Sequence, residues 1–271
     1  MEKSIGIFDS GIGGLTVLKE LCRVLPHEKI IYLGDTARVP YGTKSSATIK
    51  RYALEDAHFL IRQGIKLLVI ACNTASANAT SYLKQRLSIP IVEVIGPGAR
   101  QAALSTRIGR VGVIGTEATV RSNAYATEIK RFKPDIEVLS RPCPLFVPLV
   151  EENWDGPEDE AYLKELKALT VKRYLGTLRD QGIDTLVLGC THYPLLRESI
   201  EDFMGAGVAL IDSARETAQE VLTVIGDMNL AAHGGGRVSP AYYVTDAPDR
   251  FMRLGSRFLG TAVEEVTQVE V

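Results

Sequence analysis

Two cysteines in this chain have neighbours that can turn a thiol into a reagent. Cys72 is followed by Asn73 and Thr74, and Cys190 by Thr191 and His192. Each closes a short apolar run, Leu67-Leu-Val-Ile-Ala in one case and Thr185-Leu-Val-Leu-Gly in the other. A cysteine placed between a buried strand and the start of a helix meets free backbone N–H groups and the positive end of the helix dipole, and both stabilise a thiolate. Cys22 falls within an amphipathic helical pattern and reads as core, and Cys143, flanked by Pro142 and Pro144, reads as structural. There is no C-x-x-C pair and no histidine at zinc-ligand spacing, so neither a disulfide framework nor a metal site is expected.

Two thiols facing each other across a cleft admit two chemistries. They can exchange electrons, or they can stand on opposite faces of one carbon, one taking a proton while the other delivers one and inverts the configuration. The second needs partners that set the charge of each sulfur, and Asp9 and His192 are the evident candidates.

The elements that must position these groups alternate in α/β order. Apolar runs at Ser4–Phe8, Ile30–Leu33, Leu67–Ala71, Ile91–Val94, 111–115, Ile136–Leu139, 185–189 and Val208–Ile211 are separated by helical patterns. Leu15, Leu18, Leu21 and Leu25 share one helical face, and Ser45–Gln63 and Asp159–Arg179 read as longer helices. Strands buried on both faces and joined by helices form mostly parallel sheets, whose ligands gather at the carboxyl ends of the strands. The expectation is a three-layer α/β architecture.

An approximate duplication organises the whole. Ser4-Ile-Gly-Ile-Phe-Asp9-Ser10 is similar to Arg110-Val-Gly-Val-Ile-Gly115-Thr116, as the two cysteine segments are to each other. The first element precedes its cysteine by 72 − 9 = 63 residues in one half and 190 − 115 = 75 in the other. Two pseudo-symmetric domains facing a cleft are expected, residues 1–96 with 208–271 forming one and 97–207 the other. The break falls at Ile95-Gly96-Pro97-Gly98, and the strand at Val208–Ile211 is expected to rejoin the first domain. Gly234-Gly235-Gly236 reads as a surface turn before a last strand at Ala241–Thr245.

Composition narrows the function. With 271 residues, 45% hydrophobic and 24% charged, the chain has ample core, and a net charge of −2 argues against a nucleic-acid grip built on bulk electrostatics. No apolar run approaches a membrane span, and the first residues leave no room for a secretory leader, so a cytoplasmic protein is expected. Asp9-Ser-Gly-Ile-Gly-Gly14 lacks G-x-G-x-x-G and opens with a carboxylate, which excludes a dinucleotide loop.

Four blocks, Phe8-Asp-Ser-Gly-Ile-Gly-Gly14, Gly34-Asp-Thr-Ala-Arg-Val-Pro-Tyr-Gly42, Ala71-Cys-Asn-Thr-Ala75 and Gly189-Cys-Thr-His-Tyr-Pro194, resemble the motifs of bacterial glutamate racemases. Aspartate racemases also use two cysteines, but the Tyr-Gly block and the histidine after Cys190-Thr191 are similar to the glutamate branch. The resemblance implies cofactor-independent interconversion of L- and D-glutamate, with D-glutamate destined for peptidoglycan. It implies Cys72 as the base for D-glutamate and Cys190 as the base for L-glutamate. Asp9 would assist Cys72 and His192 would assist Cys190, with Glu151 near that histidine. Substrate binding maps to Asp9, Ser10, Tyr41, Gly42, Asn73, Thr74, Thr191 and His192. Asp35 and Arg38 are left to shape the Tyr41 loop or to contact substrate. Family members are often homodimers, and some are suspected of binding DNA gyrase. The competing readings are a thiol–disulfide oxidoreductase, an aspartate or other amino-acid racemase, and a non-enzymatic amino-acid-binding or regulatory protein.

Overall fold

The first strand, β1 (Ser4–Asp9), turns Ile5 and Ile7 into one apolar cluster and Phe8 into another. β3 (Ile65–Ile70) does the same with Leu67 and Val69 against Leu68 and Ile70. Alternation with both faces apolar requires helices on both sides of the sheet, and the chain supplies them. The computed structural model describes residues 3–152, 157–232, 234, 236 and 238–271.

β1, β2 (Ile30–Gly34), β3 and β4 (Ile91–Glu93) are joined by α1 (Leu15–Val24), α2 (Ser46–Arg62) and α3 (Asn73–Lys84), and α4 (Ile95–Ser105) follows. The order then repeats with β5 (Arg110–Gly115), α5 (Glu117–Arg121), α6 (Ala124–Phe132), β6 (Glu137–Pro142), α7 (Phe146–Glu151), α8 (Pro157–Asp180), β7 (Thr185–Gly189), α9 (Arg197–Met204) and β8 (Ala209–Asp212). α10 (Ser213–Asp227) leads back to β9 (Ala241–Val244), α11 (Pro248–Leu259) and β10 (Thr267–Gln268).

One sheet has the strand order β10-β9-β2-β1-β3-β4 and the other β6-β5-β7-β8, with every pairing parallel. The run β2-β1-β3-β4 is therefore repeated as β6-β5-β7-β8, which is the duplication in three dimensions. The repeat corrects one expectation. The strand near residue 208 does not rejoin the first sheet: Thr185 to Leu188 of β7 pair with Ala209 to Asp212, so β8 is the counterpart of β4 and completes the second sheet. The crossing back comes one helix later, when α10 packs on α1 and α4 and the chain enters β9. Nor is the strand at 241 the last, since β10 adds two residues beyond it. Of the expected triple-glycine turn, Gly235 lies outside the described residues.

A buried ion pair between Lys66 and Glu28, 2.6 Å apart, ties down the returning segment. Lys66 also donates to the Leu230 carbonyl at 2.7 Å, and Glu28 accepts from Ala232 N–H at 2.7 Å. α11 then lays Phe251, Leu254, Gly255 and Phe258 inward at helical spacing, with Gly255 against Leu15 of α1. Among the described residues no helix is long and apolar enough to cross a membrane.

Candidate active site

The carboxyl ends of the two sheets meet. The loop after β1 runs so close to the loop after β7 that a Cβ on Gly13 would overlap the Thr191 hydroxyl and the His192 ring. At Gly42 a Cβ would lie 2.8 Å from Thr116 Cβ, so both contacts need glycine for proximity. Hydrogen bonds cross the same space. Thr74 Oγ1 lies 2.8 Å from Thr116 Oγ1 and 3.3 Å from Thr119 Oγ1, the Tyr125 phenol donates to Asn73 Oδ1 at 2.6 Å, and Thr16 donates to the Thr191 carbonyl at 3.2 Å.

Cys72 follows β3 and caps α3, with its carbonyl accepting from Ser76 N–H at 2.8 Å. Its thiol donates to Ser10 Oγ at 3.5 Å. Burial and then the Asp9 charge push this thiol up to about 12, against hydrogen bonds from Ser10 and the Ala75 N–H. Cys72 therefore holds its proton. Asp9 ends β1 on the neighbouring strand and is 1% exposed. Its Oδ2 accepts from Gly11 N–H at 3.0 Å, whereas Oδ1 is buried without a partner. Burial raises the Asp9 carboxyl, while the His192 charge and the Gly14 and Gly11 N–H groups pull it down.

Cys190 is set differently. A full helix does not start directly after it: the chain makes a short 3-10 turn at Tyr193–Leu196 before α9. In place of a long helix dipole the sulfur has an imidazole, with His192 Nδ1 3.9 Å from Cys190 Sγ. His192 Nε2 contacts Glu151 Oε1 at 2.8 Å, and Arg250 donates to Glu151 Oε2 at 2.9 Å. Phe258 of α11 packs edge-on against the His192 ring. Against the downward push of burial, the hydrogen bonds to Cys190 and Glu151 and their charges raise His192 to about 10. Burial would lift Glu151, but the hydrogen bond and charge of His192, with Arg250, hold it below the usual carboxylate value. The ring is an imidazolium at neutral pH, clamped between a sulfur and a carboxylate.

Asp9, Ser10, Cys72, Asn73, Thr74, Glu151, Cys190, Thr191 and His192 thus converge, as do Gly42 and Thr116. Tyr41 does not offer its side chain. The ring is fully buried, and its hydroxyl contacts Asp35 at 2.5 Å and Asp56 at 2.9 Å. Arg38 pairs with Asp35, Glu55 and Asp56, and through Asp35 and Asp56 these ion pairs connect to the Tyr41 hydroxyl. Cys143 is buried behind the site, with its carbonyl taking the Tyr193 hydroxyl at 2.8 Å, and Cys22 packs against the main core.

Thr116, Thr119, Tyr125 and Arg250 also belong to this region, and sequence reasoning missed them. Thr116 had a signal, because it occupies in the second half the place of Ser10 in the first. Tyr125 and Arg250 carry no local pattern, and only the tertiary fold brings them in.

Known structures share this framework. A glutamate racemase isoform from Bacillus anthracis superposes with a TM-score of 0.90 at 39% identity, covering 99% of this chain and 98% of that one. The glutamate racemase of Francisella tularensis in complex with D-glutamate gives 0.89 at 41% identity, with coverage of 99% and 98%. A fold of two parallel sheets shared at this level, with a cysteine after each of the equivalent strands β3 and β7, defines an isomerase of the racemase class. The glutamate racemase of Geobacter metallireducens is 56% identical over 269 residues, 99% of this chain and 97% of that protein. The profile of the Asp/Glu/Hydantoin racemase family matches residues 12–221, and the chain belongs to that family.

Proposed function

We propose that the protein interconverts L- and D-glutamate without a cofactor, using Cys72 and Cys190 as opposed acid and base. The observation that carries this reading is the pair of buried cysteines at the ends of topologically equivalent strands, beside loops of the two sheets that touch at Gly13 with Thr191 and His192 and at Thr74 with Thr116. The substrate assignment draws on the named relatives and on the Tyr41-Gly42 and Cys190-Thr-His blocks.

Removing the α-proton of an amino acid leaves a carbanion, and no pyridoxal ring is required to spread its charge if fixed donors do so. Asn73 supplies a buried Nδ2 with no protein partner, and Thr74, Thr116 and Thr119 supply hydroxyls. Thr191 and the backbone of Ser10, Tyr41 and Gly42 complete the binding set. In the L-to-D direction Cys190 takes the proton from one face, with the His192 imidazolium offsetting the negative charge on its sulfur, and Cys72, resting as a thiol, donates to the other face. The D-to-L direction reverses the roles: Cys72 becomes the base, with Asp9 receiving its proton, and Cys190 becomes the acid. Glu151 keeps the imidazolium charged, and closure of the two sheets excludes water.

The reading extends to D-glutamate supply for peptidoglycan, and so to cell shape, from a cytoplasmic homodimer. The test is direct. Purified protein and L-glutamate alone should lose optical rotation until it reaches zero. Unchanged rotation with intact, folded protein contradicts the proposal.

A further inference from the structure

Tyr125 touches the surroundings of both cysteines. Its ring lies over β7 just before Cys190, where a Cβ on Gly189 would come within 3.0 Å of Cε2, and its hydroxyl donates to Asn73, the residue after Cys72. It sits on α6, at 2% exposure, and the Ser213 side chain is a second hydrogen-bond partner of the phenol. Burial raises the phenol, so it keeps its proton and donates.

Asn73 is also buried, at 2%, and its amide has one oxygen and one nitrogen to place. Tyr125 takes the oxygen, at 2.6 Å. The nitrogen, with two donor hydrogens, is left buried and without a protein partner. A buried NH2 group lacking an acceptor is costly unless a ligand supplies one. The phenol is the partner that marks the oxygen end of the amide, and a turned amide would aim its oxygen at an anionic group.

We infer that Tyr125 is a positioning residue, which fixes the Asn73 amide so that Nδ2 faces the site and donates to an anionic oxygen of the substrate. The inference rests on the proposed glutamate chemistry for its kinetic test. Tyr125 also joins the two halves, since it belongs to the second half and orients a donor of the first.

The test is a double-mutant cycle of Tyr125→Phe and Asn73→Ala. Phenylalanine keeps the ring on Gly189 and removes only the hydroxyl. Tyr125→Phe alone should lower kcat/KM about tenfold, equally for both enantiomers, with KM rising more than kcat falls. In the Asn73→Ala background the same substitution should change kcat/KM less than twofold. Wild-type kinetics for Tyr125→Phe, or an equal loss in both backgrounds, overturns the inference, because a merely structural tyrosine acts whether or not Asn73 is present. If the wild type turns over no glutamate, the proposed reaction fails and the inference is judged on the free protein by NMR. The Asn73 side-chain 15N–1H2 signals should form one ordered pair in the wild type and an averaged or doubled set in Tyr125→Phe. Identical signals overturn it. If Tyr125→Phe does not fold, the wild-type Asn73 signals alone decide: a single ordered pair supports the inference, and an averaged or doubled set overturns it.

Discussion

The two half-sites share a topology and differ in their electrostatics. At the end of β3, Cys72 caps a twelve-residue helix and lies beside a carboxylate on the adjacent strand. At the end of β7, Cys190 leads into a short turn and lies beside an imidazolium backed by Glu151 and Arg250. Duplication set the positions of the sulfurs, and divergence of the neighbouring loops set their charge. One sulfur is kept protonated by burial and a nearby anion, while the other has a cation at 3.9 Å. Such a pair starts with an acid on one side and support for a base on the other, which inversion at a carbon demands.

The comparison breaks most sharply at the sulfurs. Cys72→Ser or Cys190→Ser should each lower racemisation about a thousandfold or more, in line with the loss of a general acid or base, and progress curves on purified variants measure it. Cys22→Ser and Cys143→Ser should stay within a few-fold of wild type. Full activity in Cys72→Ser, shown free of wild-type enzyme, removes the two-thiol scheme.

The helpers should be separable in kind. L- and D-glutamate have equal free energies, so any variant keeps kcat/KM equal in the two directions and asymmetry must appear in which step limits. Asp9→Asn should slow transfer at Cys72, so the α-deuterium effect on kcat/KM grows with labelled D-glutamate and shrinks with labelled L-glutamate. His192→Asn should give the opposite pattern. Shifts of the same sense in both variants disprove one helper per thiol.

Glu151→Gln removes the anion that keeps His192 charged, and kcat/KM should fall about ten- to a hundredfold, with the basic limb of its pH profile moving to lower pH. An unmoved limb separates Glu151 from the histidine. A smaller effect lies in stability. His192 is raised from 6.5 in the unfolded chain to about 10, so its contribution is complete below 6.5 and is lost as pH rises through 10. Melting temperature should therefore drop more steeply between those values in wild type than in His192→Asn. Smallest of all, Arg250→Gln should cost a few-fold in kcat/KM, since the guanidinium is half exposed and its pairing with Glu151 is screened.

Much of this was legible in the chain. Strands flanked by helices, two matched Cys segments and the Asp9 and Gly115 counterparts are local signals, and they carry the α/β repeat and most of the converging residues. Placement of β8 was not legible, because four alternating residues pair equally well at either sheet edge and only the repeat of four strands decides. The placement of the Tyr41 side chain was not legible for a related reason. A Tyr-Gly pair announces a loop at the site, but the burial of the phenol against Asp35 and Asp56 depends on α2, which lies further along the chain. Tyr125 and Arg250 reach the site from α6 and α11, and nothing at their own positions marks them.

The central claim is that each thiol serves one face with one proton, and isotope flow tests it most directly. L-Glutamate incubated in D2O should give D-glutamate carrying deuterium at Cα from the first turnovers, while recovered L-glutamate still carries protium. Early deuterium in the recovered L-glutamate would mean one base returning solvent hydrogen to both faces, and would contradict two opposed cysteines.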